Sequence, residues 1–215
     1  MRLPLAMLVG ALALGAAGCD AIKAIAYYLR PAAIDPAEYE FPEKARVLIM
    51  LDPARPGYDN PVFSKALHDR MVEIFREKNS TAELIAPREV AVLKRDNADF
   101  RNWSIRRIGS ELKATHVLYG RVDFLQSRQA PDYPVLEPRV SMRLKVIAVE
   151  RPDGDARVWP TEREGREVTC ERQAQEASDP SFEDAAMTKL GRDTAYLVAL
   201  PFFKHDQEEK RPREQ

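Results

Sequence analysis

The stretch that most constrains the fold is residues 139–150. Val140, Met142, Leu144, Val146 and Ala148 alternate there with Ser141, Arg143 and Lys145. Successive side chains of a strand point to opposite faces, so this period of two makes one apolar face and one polar face. A slip of one residue would bury the charges, so the pattern itself sets the register. Residues 115–126 repeat the device, with Val117, Tyr119, Arg121, Asp123 and Leu125 on one side and His116, Leu118, Gly120, Val122 and Phe124 on the other. A proline-rich connection, residues 130–138, joins the two. Beyond them, Pro152-Asp153-Gly154-Asp155 has the residues a hairpin turn wants. Residues 156–172, with Trp159 and an interruption at Pro160, read as a third strand. Three consecutive antiparallel strands are the expectation.

A strand pattern with one apolar face needs something to cover it. Val47-Leu48-Ile49-Met50-Leu51 is a nearly continuous apolar run, suited to a strand covered on both faces in the same sheet. Asn60 is placed to cap a helix with Pro61 at its first position. Phe63, Leu67, Met71, Ile74 and Phe75 form its apolar stripe, opposite Lys65, Asp69, Glu73, Arg76 and Glu77. Residues 82–85 read as a short strand, and Pro87 opens a brief helix through Val90 and Leu93. Asn102 is expected to cap a helix over 103–113, with Ile105, Ile108 and Leu112 on one side. Asp179 and Pro180 open a last helix carrying Phe182, Ala186, Leu190 and Leu197, with Ala185, Met187 and Val198 beside them. The fold class is α/β (α+β): a mixed sheet with a three-stranded antiparallel unit, covered by amphipathic helices.

The chain opens differently. Arg2 is the only charge before Cys19, residues 3–14 are almost wholly apolar, and Gly15-Ala16-Ala17-Gly18 is a zone of small residues. A basic start, a short apolar core and small residues at a cut make a secretory leader. The apolar run falls short of the roughly 20 residues that span a bilayer. With a cysteine directly after the small residues, it resembles a bacterial lipoprotein signal, cleaved between Gly18 and Cys19 with lipid on Cys19. It departs from that pattern at Ala16, where leucine is usual; Leu14 lies two residues earlier. An ordinary cleaved leader that ends near Cys19 and an uncleaved anchor are the other readings of the same residues.

Four segments follow: a signal peptide, residues 1–18; a lipid anchor with a short helix and a proline-rich spacer, 19–44; an α/β domain, 45–203; and a disordered charged tail, 204–215. Ile22, Ile25 and Leu29 are spaced for a helix, while Pro31, Pro36 and Pro42 among acidic residues read as a semi-stiff spacer. Removing the signal leaves 197 residues, enough for one domain with a real core. The net charge of the whole chain is −1, which lacks the basic excess of a general nucleic-acid binder.

No glycine-rich phosphate loop, no GxSxG, no HExxH and no paired-cysteine metal site occurs. No catalytic residue, metal ligand or cofactor is therefore expected, and Cys19 is the one site residue. His68, His116 and His205 are far apart, and each reads as a surface or structural residue. Cys170, alone once Cys19 is lipidated, sits in the alternating segment 167–171 and reads as buried in or near the sheet. Arg121 and Asp123 share a strand face that Arg143 or Lys145 could oppose, which reads as a cross-strand ion pair rather than an acid–base pair. Arg101, Arg106 and Arg107 surround Trp103, either as a solvated helix face or as a basic patch for an acidic partner or lipid headgroup.

Residues 108–122, Ile108-Gly109-Ser110-Glu111-Leu112-Lys113-Ala114-Thr115-His116-Val117-Leu118-Tyr119-Gly120-Arg121-Val122, carry a glycine-containing helix into a strand of the form A-x-x-V-L-x-G-x-V. A strand with Leu144-Lys145-Val146-Ile147 follows. With the strand at 47–51 and the helix from Asn60, this resembles the α/β domain of the curli-secretion lipoprotein superfamily, which includes lipoprotein activators of penicillin-binding proteins. The resemblance covers residues 45–203 and brings no catalytic residues. The long amphipathic hairpins of the pore-forming members are missing, since the connection 126–138 is short and proline-rich. The expected function is a non-enzymatic, lipid-anchored periplasmic domain that binds a protein or another cell-envelope component, its sharpest version an activator or assembly factor of envelope biogenesis. The membrane, through lipid on Cys19, and a protein of the envelope are the expected partners, with the oligomeric state open. An envelope hydrolase using carboxylates, and a subunit of a secretion or polysaccharide-export assembly, are the alternatives.

Overall fold

The computed structural model describes residues 34–130, 133–152, 154–176 and 180–206. The leader with Cys19, the helix expected at 22–29, the Asp179 cap and the tail beyond Asp206 lie outside these residues. In chain order the elements are β1 Ile34–Asp35, β2 Arg46–Pro53, α1 Pro61–Glu77, β3 Glu83–Leu84, α2 Pro87–Asp96, a 3₁₀ turn Phe100–Asn102, α3 Ile105–Glu111, β4 His116–Gln126, β5 Val135–Leu136, β6 Arg139–Ala148, β7 Arg157–Trp159, β8 Arg166–Glu171, β9 Gln175–Glu176, α4 Pro180–Ala199, a 3₁₀ turn Leu200–Phe202 and β10 His205–Asp206.

The fold is mixed α/β. The main sheet runs β3-β2-β4-β6-β7, with β8 also paired to β6. β2 is parallel to β3 and β4, while β6 is antiparallel to β4, β7 and β8. The antiparallel three-strand expectation therefore holds, with its third strand split in two. Pro160 has no N–H to give a ladder, and Gly165, at φ +97°, turns the chain into β8. A Cβ on Gly165 would stand 2.8 Å from the Leu144 carbonyl oxygen, so the turn packs directly on β6.

One face of the sheet carries Val47, Leu118, Val122, Met142, Leu144 and Val146, all buried under α1 and α4. Asn60 caps α1 as expected, its side chain accepting from the Phe63 N–H at 2.9 Å, and Pro61 begins the helix. The stripe from Phe63 to Phe75 is buried throughout. α4 lies so close to α1 that a Cβ on Gly191 would meet the Phe63 carbonyl oxygen at 2.6 Å. The stripe of α4 holds as expected at Ala186, Met187, Leu190 and Val198, which are buried with Ala195, and fails at Phe182, which is 52% exposed. The opposite face holds Leu48, Val117 and Tyr119 under α2 and α3. Here Ser104, not Asn102, caps the helix, accepting from the Arg107 N–H, and Asn102 closes the preceding 3₁₀ turn.

Other expectations are corrected at the end of β4 and at the two ends of the domain. β4 does not alternate to its end, because a register shift between Val122 and Phe124 switches the faces. Leu125 thus joins Leu118 and Val122 in the first core, and Phe124 leaves it. The segment expected as a spacer also packs on the domain. Ile34 and Asp35 pair with Asp206 and His205, and the Glu38 and Tyr39 N–H groups both donate to the Pro201 carbonyl. Phe41 stacks between Phe202, His116 and Phe75, with Tyr39 beside it. Burying two aromatic rings outweighs the stiffness of the flanking prolines. The folded part thus extends past 45–203 on both sides, and His205 belongs to it rather than to a disordered tail.

Candidate functional site

The second sheet face is covered only in part. α3 closes over Val117, but past Tyr119 no described helix lies on the sheet, and the residues there are polar: Asp52 on β2, Arg121 and Asp123 on β4, Arg143 and Lys145 on β6. The alternation places them there, since their neighbours Leu51, Val122, Met142 and Leu144 face the core. Arg121 and Arg143 are direct cross-strand partners, a like-charge pairing that would repel. The bulge brings Asp123 between them. Its carboxylate accepts from Arg121 Nε at 2.7 Å and lies 3.1 Å from Arg143 Nε, and Arg143 reaches on to Glu164 at 3.4 Å. This is the expected ion pair, held by two guanidiniums. Lys145 is not part of it; its Nζ stands 5.8 Å from the Tyr119 ring centroid.

Tyr119 is the most perturbed group of this face. Its hydroxyl donates to Asp52 Oδ2 at 2.6 Å. Burial, then that carboxylate, push its ionisation well above the ordinary tyrosine value. It is a fixed neutral donor, so the bond ties the open end of β2 to β4 rather than supplying a proton.

The expected basic patch is half committed. The Arg107 guanidinium lies 3.9 Å above the Trp103 ring, a cation–π contact. Arg106 Nε donates to the Val149 carbonyl at 3.1 Å and so fastens α3 to the end of β6. The three histidines are apart in space as in sequence. His68 Nε2 meets the Ile85 carbonyl at 3.2 Å. His116 Nδ1 meets the Thr115 hydroxyl at 2.9 Å, and burial holds its ionisation below the ordinary histidine value. His205 lies with Nε2 3.8 Å from Asp35. Cys170 is buried in β8, and burial pushes its thiol up. Among the described residues no group of three or more His, Cys, Asp and Glu could hold a metal ion. No described helix is long and apolar enough to cross a membrane.

A cavity of about 470 Å³ was not foreseen. It opens between β8 and the pair formed by β1 and β10, above the C-terminal end of α4. Reasoning from sequence missed it because its far wall is the segment read as a spacer. The available signal was Tyr39 and Phe41, two aromatics that a solvated spacer does not need.

No family model matches this chain. No curated protein matches it either. Among solved structures it is similar to the PelC dodecamer from Paraburkholderia phytofirmans, at 14% identity over 80% of this chain and 96% of that one, with a TM-score of 0.40. It is similar to lipoprotein GNA1162 from Neisseria meningitidis, at 12% identity over 67% and 94%, TM-score 0.41. A third is the LpoB C-terminal domain from Salmonella enterica, at 13% identity over 62% and 85%, TM-score 0.32. One of these neighbours is named as a lipoprotein. With TM-scores under 0.5 they carry no argument for this chain's activity, address or partner.

Proposed function

We propose that this chain is a non-enzymatic lipoprotein of the bacterial envelope, anchored through lipid on Cys19, whose α/β domain faces the periplasm and binds another envelope protein. The leader and the cysteine that follows it carry the reading. The structure adds a length to it. The described strand β1 starts at Ile34, fifteen residues after Cys19, and an extended chain spans at most about 3.3–3.6 Å per residue. The first strand of the domain is therefore held within about 50 Å of the lipid, where a free spacer to residue 44 would reach farther. Binding rather than catalysis is supported by what the polar groups are doing. Asp123 is held by two guanidiniums and Asp52 by the Tyr119 hydroxyl, so both carboxylates are tied to neighbouring side chains. A sharper role, as an activator or assembly factor, is part of this proposal.

The test is photo-crosslinking in cells from a residue on the open sheet face, Lys145, followed by identification of the adduct. One defined envelope protein should be captured. Absence of any adduct from Lys145 and from the rest of the domain surface would end the reading.

A further inference from the structure

Among the described residues β8 is bonded on one side only. Among these it pairs with β6 alone, from Arg166 opposite Leu144 to Glu171 opposite Arg139. The Arg172 N–H donates to the Pro138 carbonyl across this ladder at 2.9 Å. In an antiparallel pair the main-chain groups alternate between bonding the partner and pointing away from it. Arg166, Val168 and Cys170 therefore face β6, and the N–H and C=O groups of Glu167, Thr169 and Glu171 point outward. An edge with outward N–H and C=O groups is a template for another strand.

Glu167 and Thr169 are also residues that line the cavity of about 470 Å³. Its size is within the range of specific ligand sites. The floor is apolar, made by Val168, Leu197, Leu200 and Pro201. The far wall is Asp35, Glu38 and His205. Charge there is set by Glu38, whose carboxylate binds Arg166 at 3.1 Å, and by Glu167 on the edge itself, while Asp35 is held by contacts of its own, His205 at 3.8 Å among them. Outward main-chain groups call for an extended backbone, the apolar floor for alternate apolar side chains, and the acidic walls for basic ones between them.

We infer that the β8 edge and this cavity form a docking groove for an extended segment of the partner protein, with alternating apolar and basic residues, which adds a strand to the sheet. The inference rests on the reading of the domain as a binder and names the chemistry of what it binds.

The probe is a capped heptapeptide of alternating lysine and valine, added to the full chain in detergent, with amide hydrogen exchange as the readout. The Glu167 and Thr169 amides should slow by about tenfold or more, the effect of gaining a main-chain bond. The Val168 and Cys170 amides, already bonded to β6, should not change. The same peptide with its backbone nitrogens methylated, and one with glutamate for lysine, should give no protection. Thr169→Pro should abolish binding while leaving the β6 ladder whole, because the N–H it removes points away from β6. Glu167→Lys, which leaves the backbone alone, should weaken binding about tenfold. Slow Glu167 and Thr169 exchange before any peptide is added would show that the chain's own residues fill the groove, and would overturn the inference. So would equal protection by the glutamate or methylated peptide, or none by the first. A photo-crosslinker in cells separates the two claims. An adduct from Thr169 supports the groove, an adduct from Lys145 or elsewhere on the domain but not from Thr169 removes the groove and keeps the binder, and no adduct from any position on the domain surface removes both.

Discussion

Phe41→Ala tests whether the segment before β2 belongs to the core. The Phe41 ring centroid lies 5.0 Å from Phe202, 5.3 Å from Tyr39, 5.8 Å from His116 and 6.0 Å from Phe75. Truncating a fully buried phenylalanine costs about 3–5 kcal/mol. Phe41 is half-buried, which reduces the transfer part, while its aromatic neighbours add roughly 0.5–1.5 kcal/mol beyond area. The expected loss is about 2–3 kcal/mol, a melting-point drop of roughly 5–10 °C for a domain of this size. Thermal and urea unfolding should agree, with an unchanged urea slope. Phe182→Ala, on a side chain 52% exposed, is the control and should cost under about 0.5 kcal/mol. A chain beginning at Ala45 should lose more than Phe41→Ala, because it also gives up Tyr39 and both N–H bonds to the Pro201 carbonyl, at 2.8 and 3.1 Å. If Phe41→Ala and Phe182→Ala melt together, the segment is a tether and its packing is wrong.

Three further outcomes follow from the same coordinates. Leu144→Asp places a carboxylate at a site 1% exposed, centred between β4 and β8; losing the side chain and neutralising or hydrating the acid should cost about 5 kcal/mol or more, against about 1 kcal/mol or less for Lys145→Asp, and equal urea midpoints would put β6 out of register. The neutral form of His116 is favoured in the fold by burial, so its contribution is whole above the ordinary histidine value of about 6.5 and is lost as pH falls below it; the melting point should decline from pH 7.5 to 5 and decline less in His116→Asn, and parallel curves would remove His116 as the cause. Cys170, 4% exposed with its thiol pushed up, should react with a thiol reagent only at the rate of opening, whereas reaction at the rate of a free thiol would place it at the surface.

What was legible in the sequence was whatever a single element decides for itself. The alternation from Val140 to Ala148 and the Asn60-Pro61 start of α1 are local signals, and both appear as read. Cross-strand charge was legible too, because Arg121, Asp123 and Arg143 follow from strand parity. What failed depended on neighbours. The bulge beside Asp123 reverses the parity of β4, so Leu125 and Phe124 exchange faces. Asn102 and Ser104 are both good caps, and the tight turn made by residues 100–102 decides between them. The close approach of α4 to α1 at Gly191 is shown by no periodicity. The termini were misread for a related reason: prolines and charges describe how a segment behaves alone, while Tyr39 and Phe41 are half-buried, and His205 buried, by a surface that the rest of the chain builds. The groove beside β8 stayed hidden with them.

The anchor is the claim on which everything else rests. The most direct measurement is mass analysis of the N-terminal peptide from membrane-purified protein, run beside labelled-palmitate incorporation in the wild type and in Cys19→Ser. The account predicts a chain that begins at Cys19, carries acyl mass and takes up label, and a Cys19→Ser precursor that stays uncleaved and takes up none. A mature chain that begins elsewhere without acyl mass, or a Cys19→Ser variant that is labelled like the wild type, would contradict it.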